Sequence, residues 1–94
     1  MNKIELVLDK QLTKLVGNTF GREVYDAQVK GKIDLSKRVC IVLPSAINRV
    51  ASSFVQGFFD DIVRQIGVGG VEEKFDFEAA SILDFKQFVL ENLE

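Results

Sequence analysis

The sequence predicts an α/β fold, a single small domain in which a mostly parallel or mixed β-sheet carries packed α-helices. Three observations predict it. The hydrophobic spacing switches repeatedly between two and 3.6 residues, residues 39–43 are apolar throughout, and residues 51–66 carry one unbroken amphipathic helical period. The implied order is β-α-β-α-β-α with right-handed crossovers. The 94 residues enclose one core, so residues 1–94 are interpreted as one domain.

The amino-terminal segment predicts a strand over residues 4–8, because Ile4, Leu6 and Leu8 alternate with other side chains. Weaker apolar spacing continues over residues 12–16. This second segment is either a hairpin partner of the first strand or an extended connection, and the residues leave both alternatives open.

A first helix is predicted over residues 20–30, from the apolar positions between Phe20 and Val29. Asn18 or Thr19 is the expected helix cap, since both side chains accept backbone N–H bonds. Gly31 is expected to end the helix.

The central run 39–43 is apolar at every position, which is typical of a parallel strand buried on both faces. The helix that follows is predicted to reach Ile66, with Gly67 ending it. Ser53 and Gln56 have the spacing of a capping box at its start.

Two further elements complete the predicted order. Alternating apolar and charged residues over 71–77 predict a strand with one solvated face. A last helix is predicted over residues 79–93, with Leu83 among the residues that broaden its apolar side.

Composition excludes several classes of function. The net charge of −2 gives no long-range attraction to a phosphate backbone, so no nucleic-acid partner is expected. The apolar stretch near the amino terminus is too short for a signal peptide or a membrane span, so no membrane association and a cytoplasmic location are expected. Cys40 is the only cysteine and is interpreted as a buried structural thiol.

The sequence offers little catalytic chemistry. It contains no histidine, which excludes Ser-His and Cys-His nucleophile systems and histidine-containing zinc sites. The adjacent carboxylates at 60–61 and 72–73 point in different directions on a helix or strand, so they do not form an acid–base pair. We therefore expect no enzyme activity, no catalytic residue, no cofactor and no metal.

The segment from Ile41 to Phe54, Ile-Val-Leu-Pro-Ser-Ala-Ile-Asn-Arg-Val-Ala-Ser-Ser-Phe, resembles the signature of the STAS domain (sulphate transporter and anti-sigma-factor antagonist). It is closer still to the small bacterial STAS-like family, whose helix start typically reads Ser-Phe. The element order over residues 4–93 is similar as well, and Phe20-Gly-Arg22 opens the first helix as it does in STAS-like members.

This resemblance implies a regulatory, non-catalytic protein that docks on a protein partner. In the anti-sigma system the partner is an ATP-binding kinase of the histidine-kinase-like class, which phosphorylates a serine and thereby breaks the complex. Ser52 occupies the position of that serine and Ser53 lies beside it, so both are candidate phospho-acceptors; Ala51 stands where the family has an acidic residue. Helix capping is the alternative role for these serines.

The loop and helix start at 44–61 lie where the carboxyl ends of parallel strands are expected, the usual functional edge of an α/β sheet. Its polar side chains, which contribute nothing to the core, form the predicted partner interface: Asn48, Arg49, Gln56 and Asp60. A small immunity protein, antitoxin or phage-defence component that neutralises its target by surface binding is the alternative function.

Overall fold

The computed structural model describes residues 2–94 and confirms the α/β fold. In chain order the elements are β1 (Asn2–Glu5), β2 (Lys14–Leu15), α1 (Asn18–Gln28), β3 (Val39–Val42), β4 (Arg49–Val50), α2 (Ser52–Lys74), β5 (Phe75–Glu78) and α3 (Phe85–Leu93). The main sheet is parallel and has the order β1-β3-β5, so the 39–43 strand is central as predicted. β2 and β4 form a separate parallel ladder.

The helices cover one face of the main sheet. Because the three strands follow one another in the same direction across the sheet, right-handed crossovers bring α1 and α2 to the same side. α1 packs on α2, and α3 packs on α2 and β5. Cys40 and Val42 therefore lie on the uncovered face and are only half-buried, and the prediction that this strand is buried on both faces is wrong.

The core lies between the sheet and α2, as the amphipathic period of the helix predicts. The buried side chains of α2 are Phe54, Val55, Phe58, Phe59, Ile62 and Val71. Phe59 meets Phe75 and Phe77 of β5 edge-on, with ring centroids 5.6 Å and 5.9 Å away. Such pairs stabilise the core beyond the area they bury.

Two glycines let α1 and α2 approach closely. A Cβ atom at Gly21 would lie 2.3 Å from the carbonyl oxygen of Phe54, and one at Gly57 would lie 2.0 Å from that of Asn18. No side chain fits at either position, so the backbones themselves are in contact. This crossing holds the amino-terminal ends of the two helices side by side.

The amino-terminal half differs from expectation in two ways. The segment 12–16 is not a hairpin partner of β1, because Lys14 and Leu15 pair in parallel with β4 instead. The connection between β1 and β2 is held by the Gln28 amide, which accepts from the N–H of Val7 at 2.7 Å and donates to its carbonyl at 2.8 Å. The cap of α1 is Gly17, with φ 104°, rather than Asn18 or Thr19.

The carboxyl-terminal half also starts its elements later than predicted. Gly67 interrupts α2 with φ 72°, but the chain returns to helix as far as Lys74, so β5 covers 75–78 and not 71–77. Residues 80–84 form turns and a bend ahead of α3, and Asp84 adopts left-handed backbone with φ 54°. Leu83 is 91% exposed, so its predicted place on the apolar side of a helix is wrong.

Candidate functional site at the carboxyl edge of the sheet

The candidate site is built on the short parallel ladder between β2 and β4. β2 follows the carboxyl end of β1, and β4 follows that of β3, so the ladder lies beyond the edge where functional groups collect in α/β folds. Backbone bonds extend it at both ends: the N–H of Asn48 donates to the carbonyl of Thr13 at 2.9 Å, and that of Ala51 to Leu15 at 2.8 Å. The predicted loop is therefore ordered by a second chain segment.

One side of this ladder faces the core and the other faces solvent. Leu15 and Val50 are in register, 0% and 7% exposed, and anchor the ladder. Lys14 and Arg49 are also in register, and both are exposed. The structure thus places the predicted interface residue Arg49 in a strand, next to a lysine that was not predicted.

The loop between β3 and β4 is held firmly. The N–H of Leu43 donates to the carbonyl of Glu78 at 2.8 Å, and the Ser81 hydroxyl donates to the carbonyl of Ser45 at 2.6 Å. Ile47, 1% exposed, inserts its side chain into the core. The exposed side chain of Asn48 is therefore presented from a supported backbone.

The two candidate serines have different surroundings. Ser52 is exposed in the first turn of α2. Ser53 is half-buried, and its hydroxyl oxygen accepts the backbone N–H of Gly17 at 3.0 Å, which ties the start of α2 to the start of α1. The capping box of Ser53 and Gln56 is not formed, since Ala51 is the cap residue and no side chain caps this helix.

Gln56 and Asp60 lie one and two helical turns beyond Ser52, on the outward stripe of α2. Gln56 is exposed. The carboxylate of Asp60 forms ion pairs within the chain, with Arg64 at 3.1 Å and with Arg22 at 4.0 Å. Asn48 and Arg49 precede this helix in the chain, in the β3–β4 loop and in β4.

Two further titratable side chains, Cys40 and Tyr25, have raised pKa values. Burial raises the pKa of the Cys40 thiol, which lies 3.6 Å from the carboxylate of Glu78, so it stays protonated at neutral pH. Burial and a 2.6 Å bond from its hydroxyl to Asp61 raise the pKa of Tyr25. Within residues 2–94, no group of three or more acidic, cysteine or histidine side chains converges as metal ligands would.

Comparison of the chain with protein-family models, curated proteins and solved structures returns no match. In the described part of the chain, none of the helices combines the length and the apolar character that crossing a bilayer requires.

Sequence reasoning missed Lys14 because a two-residue strand has no periodicity to detect. The only available signal was the apolar Leu15 beside it. The role of Ser53 was also missed, since its partner Gly17 is 36 residues away and glycine gives no hint of such a contact.

Proposed function

We propose that this chain is a non-catalytic regulatory module of the STAS-like kind, cytoplasmic, which docks a protein partner through the surface at 44–61. The observation that carries the proposal is a set of exposed polar side chains on hydrogen-bonded backbone between residues 44 and 61: Asn48, Arg49, Ser52 and Gln56. Partners rarely change the backbone of such preordered surfaces, so little ordering cost opposes binding.

The proposed regulation acts at Ser52. A partner kinase of the ATP-binding, histidine-kinase-like class transfers the γ-phosphoryl group of ATP to the Ser52 hydroxyl, releasing ADP and the hydroxyl proton. The phosphate adds about −1.5 to −2 charges at the start of α2. The helix dipole favours an anion at that position, so the fold is kept. A partner packed on the same side of the helix is displaced by the added charge. The accessibility of Ser52 supports this choice over Ser53, whose hydroxyl is already bonded to Gly17.

The first test measures affinity for the co-purified partner by calorimetry. Alanine substitutions at Asn48, Arg49 and Gln56 are expected to change stability by about 0.5 kcal/mol or less, whereas an anchoring arginine contributes about 2 kcal/mol or more to binding. Unchanged affinity for all three variants would exclude this surface.

The second test concerns the switch. Ser52→Asp is expected to keep its circular dichroism spectrum and lose partner affinity, with Ser52→Ala as the matched neutral control. Incubating the complex with Mg²⁺ and ATP and mapping the phosphate by mass spectrometry locates the acceptor. A Ser52→Asp protein that binds as tightly as wild type would rule out the switch, and a toxin or effector as the partner would favour the immunity-protein function instead.

A further inference from the structure

Two cations are held side by side on the outer face of the β2–β4 ladder. Lys14 and Arg49 are register partners, and neighbouring strands lie about 4.8 Å apart, so the two side chains leave the backbone from adjacent positions on one face. The burial of Leu15 and Val50 determines which face the cations occupy. Their proximity therefore follows from the fold.

Arg49 differs from the other arginines of the chain. Arg22, Arg38 and Arg64 each have a carboxylate oxygen within 4.0 Å, from Asp60 or Asp76. Neither Arg49 nor Lys14 forms an ion pair within residues 2–94. No carboxylate of the described residues therefore neutralises either cation, and the ladder keeps the two next to each other.

Such a pair does not help the protein fold. Like charges directly opposite each other on paired strands are destabilising, and an acidic residue at either position would be more favourable. The chain as a whole carries a net charge of −2, so the local positive charge is not a consequence of composition. Within residues 2–94 the fold therefore places these two cations together and gives neither of them a carboxylate partner.

We propose that Lys14 and Arg49 bind an acidic segment of the protein partner, one with neighbouring aspartate or glutamate carboxylates. This inference rests on the proposed function and names the chemistry of the partner. A guanidinium binds a carboxylate through two parallel hydrogen bonds, and the lysine beside it accepts a second carboxylate as a point charge.

A protein segment fits this surface better than a nucleic acid does. Two cations neutralise about two phosphates, whereas firm binding to a nucleic acid involves about 6–10. Val16, 58% exposed, directly follows β2 and lies two residues beyond Lys14. A peptide can cover that apolar side chain, while a phosphate backbone gains nothing from it.

The test is an amide NMR titration of the full chain with a blocked hexaglutamate peptide, and with blocked hexaglutamine as the uncharged control. We expect hexaglutamate to shift the amide signals of residues 13–16 and 48–52, and hexaglutamine to leave them in place. The effect should weaken between about 0.01 M and about 0.15 M salt, as the screening length falls from about 30 Å to about 8 Å.

Charge-reversed variants separate this site from general electrostatics. Arg49→Glu and Lys14→Glu are each expected to weaken hexaglutamate binding at least about tenfold, the loss of one charge-assisted contact. Lys37→Glu makes the same charge change at an exposed position before the opposite end of β3 and should stay within about twofold of wild type. Each charge reversal at the ladder places a negative side chain opposite a positive one, so the melting temperature of each variant should equal or exceed that of wild type. Weaker hexaglutamate binding would then not be due to unfolding of the variant.

Three results would overturn the inference: equal shifts with hexaglutamine, equal weakening by Lys37→Glu, or tighter binding of inorganic phosphate or hexathymidylate than of hexaglutamate. Calorimetry with the co-purified partner separates the two proposals. If the partner loses affinity for Asn48→Ala and Gln56→Ala but binds the two reversed variants normally, the proposed function stands and this inference is wrong. If hexaglutamate binds at the ladder but the partner contacts another surface, the proposed function is wrong.

Discussion

Adding a single methyl group at Gly57 is expected to force α1 and α2 apart. The new Cβ atom would lie 2.0 Å from the carbonyl oxygen of Asn18 and within 2.9 Å of its carbonyl carbon and Cα. All three are backbone atoms and cannot rotate away. An ordinary van der Waals contact begins at 3.4 Å, so the two helices must separate by about 1.4 Å. This separation disturbs the packing along the whole crossing.

The expected magnitude is the difference between two effects. Overpacking a dense core costs about 1–3 kcal/mol and sometimes more, and a clash with backbone belongs at the upper end. Alanine is better than glycine in a helix by about 1 kcal/mol. We therefore expect Gly57→Ala to lower the free energy of unfolding by about 2 kcal/mol, which lowers the melting temperature of a domain of this size by about 10 °C.

Urea unfolding followed by circular dichroism measures this loss, and Gly69→Ala is the matched control. Gly69 lies in the same element, and a Cβ atom there would meet no heavy atom within 4 Å. Gly69→Ala should therefore raise stability by about 0.5–1 kcal/mol. If the two variants were equally stable, the close crossing of α1 and α2 would be refuted.

Three further predictions concern single side chains. Phe58→Ala should lower the free energy of unfolding by about 3–5 kcal/mol in a denaturant titration, because Phe58 is 2% exposed. Leu83→Ala, at a residue that is 91% exposed, should change it by about 0.5 kcal/mol or less. Equal effects of the two substitutions would show that the buried face of α2 is assigned wrongly. Tyr25, the only tyrosine, has a pKa raised above its ordinary 10.0, so it stabilises the fold fully below pH 10.0 and loses that contribution as the pH rises further. Absorbance at the tyrosinate band should then rise only when the protein unfolds, and ionisation near pH 10.0 in folded protein would contradict this. Ser53→Ala leaves the N–H of Gly17 without its acceptor and should cost about 1 kcal/mol in the same urea titration, whereas no loss would show that the bond is unimportant.

Much of the fold follows from periodicity in the sequence. The apolar spacing of the sequence predicted two features of the fold. These are the burial of Phe54, Phe58 and Ile62 and the central position of the 39–43 strand. Element boundaries were predicted less well. Residues 71–74 alternate like a strand, yet they continue α2 after Gly67, because tertiary packing of Val71 overrides local pattern.

The candidate site was predicted in part. Asn48 and Arg49 were identified because polar residues beyond a buried strand do not serve the core. Lys14 was not identified. It lies beside Arg49 only because two short strands pair there, and the two residues are 35 positions apart in the sequence. The ion pair between Asp60 and Arg22 could not be predicted from the sequence either, since it depends on how closely α1 crosses α2.

Docking at the carboxyl edge of the sheet is tested most directly by amide hydrogen exchange of the purified complex between this chain and its co-purified partner, compared with the free chain. Docking at the carboxyl edge predicts slower exchange in peptides that cover residues 13–16 and 44–61, with the strands β1 and β5 and the helix α3 unchanged. Protection confined to α3 or to the outer strands, with residues 44–61 exchanging as in the free chain, would contradict it.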